Sequence, residues 1–359
     1  MTDGTGPLGF ATIDQVVEGA RKALDPAVHA WAAAGAGQGV TVSRNRLALD
    51  RLALVPRVMR DVQAVDASSS FVGVPLGLPV FLAPIGALAL YEPTDALASC
   101  AAAASVSTSV MCSAFTSVPW EDVAATAPGR HMFQLYVLGD RGWTTDVTVR
   151  VEAAGFGALC VTVDTPMIGR RDRSLELRSV FVADPASGEH PNLARHGWDP
   201  SYRSRYTPAD LEWLCRQTRL PVVVKGIMTA DDARAAVDAG VAGVYVSNHG
   251  GRQVDHAIST IEVLGEIVEA VGAEVDVAVD GGFTRGADVC KALALGARAV
   301  GIGRLQCWGL AAGGTAGLTR VLEILREEIV VTMANIGCRT THDVTPGHVR
   351  WAVPAGEGV

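Results

Sequence analysis

Three pairs of polar residues, each two positions apart, follow short apolar runs in this 359-residue chain: Gln134 with Tyr136, Thr162 with Asp164, and Ser247 with His249. Residues two apart in a strand point to the same side. Each pair can therefore present two polar groups to one face. His249 has the side chain best suited to move a proton near neutral pH, and such a base needs access and a partner for its protonated form. Asp164 is the candidate partner. Arg171 and Arg252 carry guanidinium forks that match a carboxylate. Lys225 ends another apolar run, where an ammonium needs an anion or an electron-rich ring beside it. Simpler uses compete with these readings. A single histidine is more often structural, and arginines most often form surface ion pairs.

A second group of residues suits phosphate. Asp280-Gly281-Gly282 and Gly303-Arg304 each end an apolar run, each precedes a predicted helix, and Arg285 lies close in sequence. Glycine lets backbone N–H groups approach an anion, and a helix start adds its dipole. One Gly-Gly turn is weak evidence. Two glycine turns with two arginines favour phosphate over ordinary tight turns.

These residues need a frame that brings strand ends together. Eight apolar runs, at 78–84, 107–113, 132–137, 158–165, 220–226, 243–250, 274–282 and 297–304, read as buried parallel strands. Segments with helical spacing, including 95–104, 140–154, 230–239, 259–271 and 284–295, separate several of them. This rhythm predicts an α/β fold, a (β/α)8 TIM barrel, whose chemistry sits at the C-terminal strand ends and whose last two loops grip phosphate. An open doubly wound sheet is the weaker alternative. The expected organisation is an N-terminal helical extension over 1–77, one barrel domain over 78–345 and a C-terminal tail over 346–359. The long loop at 172–206, after the fourth strand, reads as a lid or binding loop.

Composition narrows the function. The chain is 49% hydrophobic and has 30 basic against 38 acidic residues, a net charge of −8. That excludes a disordered or collagenous chain and argues against a nucleic-acid partner. No apolar run is long enough for a membrane span, and no signal peptide is expected. Seven scattered cysteines, without a C-x-x-C spacing, suggest free thiols in the cytoplasm rather than disulfides or a metal site.

Ser247-Asn-His-Gly-Gly-Arg-Gln-Val-Asp255 resembles the active-site signature of the FMN-dependent 2-hydroxy-acid oxidases and dehydrogenases, which include glycolate oxidase, lactate oxidase, lactate monooxygenase and mandelate dehydrogenase. Phe133-Gln-Leu-Tyr136, Val163-Asp-Thr-Pro166, Gly169-Arg-Arg171, Val224-Lys-Gly226, Asp280-Gly-Gly282 and Lys291-Ala-Leu-Ala-Leu-Gly-Ala297 support it, and the likeness runs from about Ile13 to Cys338. The resemblance implies FMN as cofactor and oxidation of a 2-hydroxy acid to the 2-keto acid, with O2 or another electron acceptor. It implies that His249 is the base and Asp164 its partner. Arg171, Arg252 and Tyr136 would bind substrate, with Trp31 beside them. Pro84, Ile85, Gly86, Ser113, Gln134, Thr162, Lys225 and Ser247 would surround the flavin. Asp280, Gly282, Arg285, Gly303 and Arg304 would hold its ribityl and phosphate. A homotetramer or larger assembly is also implied.

Three departures matter. Trp31 stands where the family usually has a tyrosine, so either the substrate is aromatic or larger than lactate, or the change is drift. Thr284 replaces an arginine, which shifts the expected phosphate contacts to Arg285 and Arg304. Gly86 is shared with lactate monooxygenase-like members and leaves open a monooxygenase-type oxidative decarboxylation. A flavin barrel of isomerase type, a scaffold that has lost its chemistry and a phosphosugar enzyme are the remaining alternatives.

Overall fold

The structure is a computed structural model that describes residues 8–177, 192–193 and 199–353. Eight parallel strands close into a barrel in sequence order: β1 (Val80–Leu82), β2 (Ser109–Ser113), β3 (Met132–Leu135), β4 (Ala158–Thr162), β5 (Val222–Ile227), β6 (Gly243–Val246), β7 (Asp276–Val279) and β8 (Ala299–Ile302). Seven fall inside the runs expected to form strands and β5 ends one residue beyond its run, and the fold is a (β/α)8 barrel.

The two-residue period of these strands builds the site. Met111, Met132, Cys160, Val223, Tyr245 and Ala278 fill the barrel interior. Two residues further along the same strands come Ser113, Gln134, Thr162, Lys225, Ser247 and Asp280, all buried. Successive same-face positions thus give an apolar plug and, above it, a polar ring. The alternate positions, such as Val110, Phe133, Val161, Val224 and Val244, pack outward in the larger core beneath the helices.

The N-terminal stretch contributes three helices, α1 (Ile13–Ala23), α2 (Pro26–Ala33) and α3 (Val40–Arg51). Thr12 and Gln15 form a capping box that starts α1, and Asp25 caps α2. The same stretch also contains β structure that its sequence did not announce. Ser69–Phe71 and Val74–Leu76 form an antiparallel hairpin, whose Phe71 and Val72 meet Gly243 at the start of β6. Phe71 stacks on Phe81 with ring centroids 5.8 Å apart, so the hairpin closes the N-terminal end of the barrel. Leu52–Leu54 pairs with Val349–Trp351, so the residues expected as a tail from 346 begin as structure bound to the N-terminal region.

Of the long loop at 172–206, Asp172–Glu176 is a short helix and Pro200–Ser204 a 3-10 turn. Residues 178–191 and 194–198 of the expected lid lie outside the described residues. Among the described residues, no helix is long and apolar enough to cross a membrane.

Candidate active site

At the mouth, β4 runs into Asp164 and β6 into His249. The His249 Nδ1 lies 2.8 Å from Asp164 Oδ1. A carboxylate accepts, so Nδ1 carries the proton and Nε2 is left as the basic nitrogen. His249 has φ +57° and is followed by Gly250 and Gly251, also at positive φ. A left-handed conformation at a non-glycine residue costs energy and must be held by its surroundings. The His249 N–H donates to Ser247 Oγ at 3.1 Å, and Gly251 N–H donates to Asn248 Oδ1 at 3.1 Å. Asp164 Oδ2 also meets the buried Lys225 Nζ at 3.5 Å. That approach needs Gly226, because a Cβ there would lie 2.6 Å from Asp164 Cβ.

The charges of this triad tune one another. Burial pushes the Asp164 carboxyl up, but His249 and Lys225 outweigh it and hold the pKa below the ordinary carboxylate value. Burial lowers the His249 pKa and Asp164 raises it; with Lys225 also opposing a second positive charge, the net is below the ordinary 6.5. For Lys225, burial favours the neutral amine, and Asp164 and Asp280 overcome it, so the ammonium is retained. The result is a neutral imidazole poised to accept a proton beside a fixed carboxylate.

Three arginines crowd the same side of the mouth. Arg252 Nη1 donates to the carbonyls of Trp31 at 3.0 Å, Ala32 at 3.2 Å and Ala34 at 2.9 Å. Its guanidinium lies 5.0 Å from the Trp31 ring centroid. Trp31 therefore packs against the arginine predicted to bind substrate. Arg171 has a buried Nε with no hydrogen-bond partner. Burial, then the nearby Arg252 charge, lower its pKa to about 10. Such a group gains most from an incoming anion. Burial raises the Tyr136 hydroxyl to about 12 despite Lys225, so it stays a neutral hydrogen-bonding group.

Arg304 and Arg285, the arginines expected at the phosphate, also have partners within the protein. Arg304 donates through Nε to Ala32 O at 2.9 Å, through Nη1 to Gly250 O at 2.8 Å and through Nη2 to Ala34 O at 3.1 Å. The carbonyls at the C-terminal end of α2 lack intrahelical partners, and a guanidinium there satisfies them and complements the dipole. Its side chain joins α2 to the His249 loop. Arg285 turns outward to Glu328, with Nη2 and Oε1 2.6 Å apart. The glycine turn after β7 is held instead by Arg46 of α3, which donates to Gly282 O at 3.2 Å and to both oxygens of Asp288 at 2.6 and 2.9 Å.

The polar ring fits a flavin. Ser113 Oγ donates to Gln134 Oε1 at 3.1 Å, and Gln134 Nε2 to Thr162 Oγ1 at 2.9 Å. Asp280 Oδ1 is buried without a partner, and a Cβ at Gly303 would meet nothing within 4 Å. An orphaned buried carboxylate oxygen calls for a ligand with a donor. The ribityl hydroxyls of FMN suit Asp280, its ring edge suits Gln134, Thr162 and Lys225, and its phosphate suits the backbone at Gly282 and Gly303. Pro84, Ile85 and Gly86 lead away from β1 at the same end of the barrel. The methyl-sized space beside Gly86 is not vacant, since a Cβ there would lie 3.0 Å from Phe115 Cβ.

Several residues that organise the site were assigned no role from the sequence, although Asn248, Gln253 and Asp255 lie in the Ser247–Asp255 motif. Asn45 of α3 and Asn248 exchange side-chain hydrogen bonds of 3.0 and 2.8 Å in a buried pair. Gln253 donates to Asp164 O at 3.2 Å and Met167 O at 2.8 Å, tying the loop after β6 to the loop after β4. Asp255 accepts from the backbone of Gln38 and Thr41. Asn45→Ala leaves the Asn248 amide buried and without that partner. The expected cost is about 1–3 kcal/mol of stability, with a fall in kcat because the His249 turn loosens. Thermal unfolding and steady-state rates on the same preparation check both.

The FMN-dependent dehydrogenase family profile matches residues 20–351. The chain is 42% identical to a peroxisomal (S)-2-hydroxy-acid oxidase of Oryza sativa subsp. japonica, over 92% of this chain and 93% of that one. It is 39% identical to an L-lactate oxidase of Nostoc sp., over 96% and 98% respectively. Among solved structures, a mandelate oxidase with benzoyl-formic acid superposes with a TM-score of 0.88 at 37% identity, covering 95% of this chain and 99% of that one. With this match over most of its length, the chain belongs to the FMN-dependent dehydrogenase family.

Proposed function

We propose that this protein oxidises a 2-hydroxy acid to the 2-keto acid, with His249 as base and Arg171 and Arg252 as the carboxylate clamp. One observation carries the reading: a neutral imidazole fixed by Asp164 at 2.8 Å shares a mouth with two arginines that pair with no described carboxylate. FMN, when bound, supplies the two-electron acceptor. The chain's own groups do the rest. The two guanidiniums and the Tyr136 hydroxyl orient the substrate. His249 Nε2 takes a proton from the substrate as the C–H and O–H bonds become a carbonyl. Asp164 stabilises the imidazolium that forms, and Lys225 places positive charge on the polar ring, where negative charge develops.

An anaerobic absorbance titration with short aliphatic and aromatic 2-hydroxy acids tests this directly. Bleaching of the bound flavin supports the reading, and a panel that leaves the spectrum unchanged rejects it. Re-admitting oxygen then separates an oxidase from a dehydrogenase. Since a Cβ at Gly86 would already lie 3.0 Å from Phe115 Cβ, we expect free 2-keto acid and no decarboxylated acid, with stoichiometric peroxide where oxygen is the acceptor.

The pH profile follows from the state of His249. Only the neutral imidazole accepts a proton, and its pKa is lowered. The rate constant kcat/KM should therefore rise with pH through a midpoint below 6.5 and level off above it. An acid limb centred above 7 would contradict this assignment.

A further inference from the structure

We infer that Tyr245 is a positioning residue whose ring keeps Lys225 and Asp280 apart, so that each is left free to serve the flavin. This rests on the flavin reading of the polar ring and not on which acid is oxidised. Tyr245 is fully buried in the barrel interior. It pairs in register with Lys225 of β5 on one side and with Ala278 of β7 on the other. Asp280 lies two residues beyond Ala278 and so on the same inner face. Tyr245 thus stands on the strand between the lysine and the aspartate. Its ring leans across the barrel. It meets Phe81 of β1 edge-on, with centroids 5.3 Å apart. Its hydroxyl reaches β8, where a Cβ at Gly301 would collide with it. The Lys225 Nζ lies 5.5 Å from the Tyr245 ring centroid. An aromatic face holds an ammonium without neutralising it.

The charges explain why such a spacer is needed. Lys225 and Asp280 are both buried, and one strand separates β5 from β7. Opposite charges in a buried setting attract strongly. Yet Lys225 pairs with Asp164, at 3.5 Å, and not with Asp280. Among the described residues, Asp280 Oδ1 has no hydrogen-bond partner. The ring between them accounts for both facts. A smaller side chain at 245 opens space on the inner face and lets the ammonium move toward Asp280. That new pair costs the flavin twice. It neutralises the positive charge needed where negative charge develops on reduction. It also occupies the carboxylate oxygen that suits the ribityl hydroxyls.

The test removes the ring and reads the flavin rather than turnover. Tyr245→Leu should raise the FMN dissociation constant about ten-fold, the usual effect of one charged hydrogen bond. It should also lower the equilibrium constant for two-electron reduction about ten-fold, a shift of about 30 mV to lower potential. Tyr245→Phe keeps the ring and should match wild type in both. Tyr245→Met, whose flexible side chain fills gaps, gives the same readout if the leucine variant does not fold. FMN titration of the apoprotein and a dye-referenced reductive titration of the holoenzyme measure the two quantities. A folded leucine or methionine variant with wild-type FMN affinity and potential overturns the inference, whatever its unfolding temperature, because a purely structural ring would give that result. A phenylalanine variant that loses as much as leucine also overturns it, since the hydroxyl and not the ring would then be responsible. Neither readout uses a hydroxy acid. Failure here therefore leaves the hydroxy-acid reading in place, and a substrate panel that does not bleach the flavin overturns that reading alone.

Discussion

His249→Gln should lower kcat by about a hundred- to ten-thousand-fold while the protein still binds FMN, the range over which a positioned base contributes. Glutamine is close to histidine in reach and can donate through its amide N–H to Asp164. It cannot take up a proton, so the acid limb of the pH profile should vanish along with turnover. Among the described residues, the His249 side chain makes no hydrogen bond apart from the one to Asp164. Flavin absorbance and the unfolding temperature should therefore stay close to wild type. Stopped-flow reduction under anaerobic conditions isolates the chemical step. A reduction rate within ten-fold of wild type would remove His249 from the mechanism.

Asp164→Asn should combine a catalytic loss of similar size with a loss of stability. The carboxylate serves two cations: it accepts from His249 at 2.8 Å and meets Lys225 at 3.5 Å. Asparagine keeps the volume but removes the charge that stabilises the imidazolium, and it allows the ring to adopt the other tautomer. It also strips Lys225 of its nearest counter-ion in a buried setting. Removing one partner of a buried pair typically costs about 3–5 kcal/mol. Asp280 also acts on Lys225 and should offset part of that. The expected result is a lower unfolding temperature, a kcat reduced about a hundred-fold or more, and a smaller effect on KM, because Arg171 and Arg252 are untouched. A variant with reduced kcat and wild-type stability would show that Lys225 does not depend on Asp164.

These outcomes depend on a site that was partly legible in the chain itself. The parity of Gln134, Thr162 and Ser247 with Tyr136, Asp164 and His249 needs only a strand's two-residue period, and the barrel places all six at one end. The pairing of His249 with Asp164 was open to inference because each follows a recognisable apolar run. Glycine at 226 was visible, but its reason was not. The close approach of Asp164 that requires it comes from the neighbouring strand.

The protein partners of the phosphate-side arginines were not legible. Arg285 and Arg304 have the right residue type beside the right turns, yet the first is drawn to Glu328 and the second to the carbonyl end of α2. Their partners lie 43 residues away for Arg285 and 272 and 270 residues away for Arg304, beyond any local pattern. Asn45 and Arg46 were missed for the same reason. They sit on an unremarkable helix and acquire their function only where α3 lands on the loops after β6 and β7.

Periodicity, turn residues and short motifs are local, so the amino-acid sequence by itself determined the barrel, the polar ring and the meeting of His249 with Asp164. Which guanidinium meets a carboxylate, which meets a backbone carbonyl and which is left unpaired depends on competition among groups far apart in the chain. That competition is settled only when the N-terminal helices pack on the loops at the strand ends, so the tertiary structure alone decided how Arg46, Arg285 and Arg304 are used.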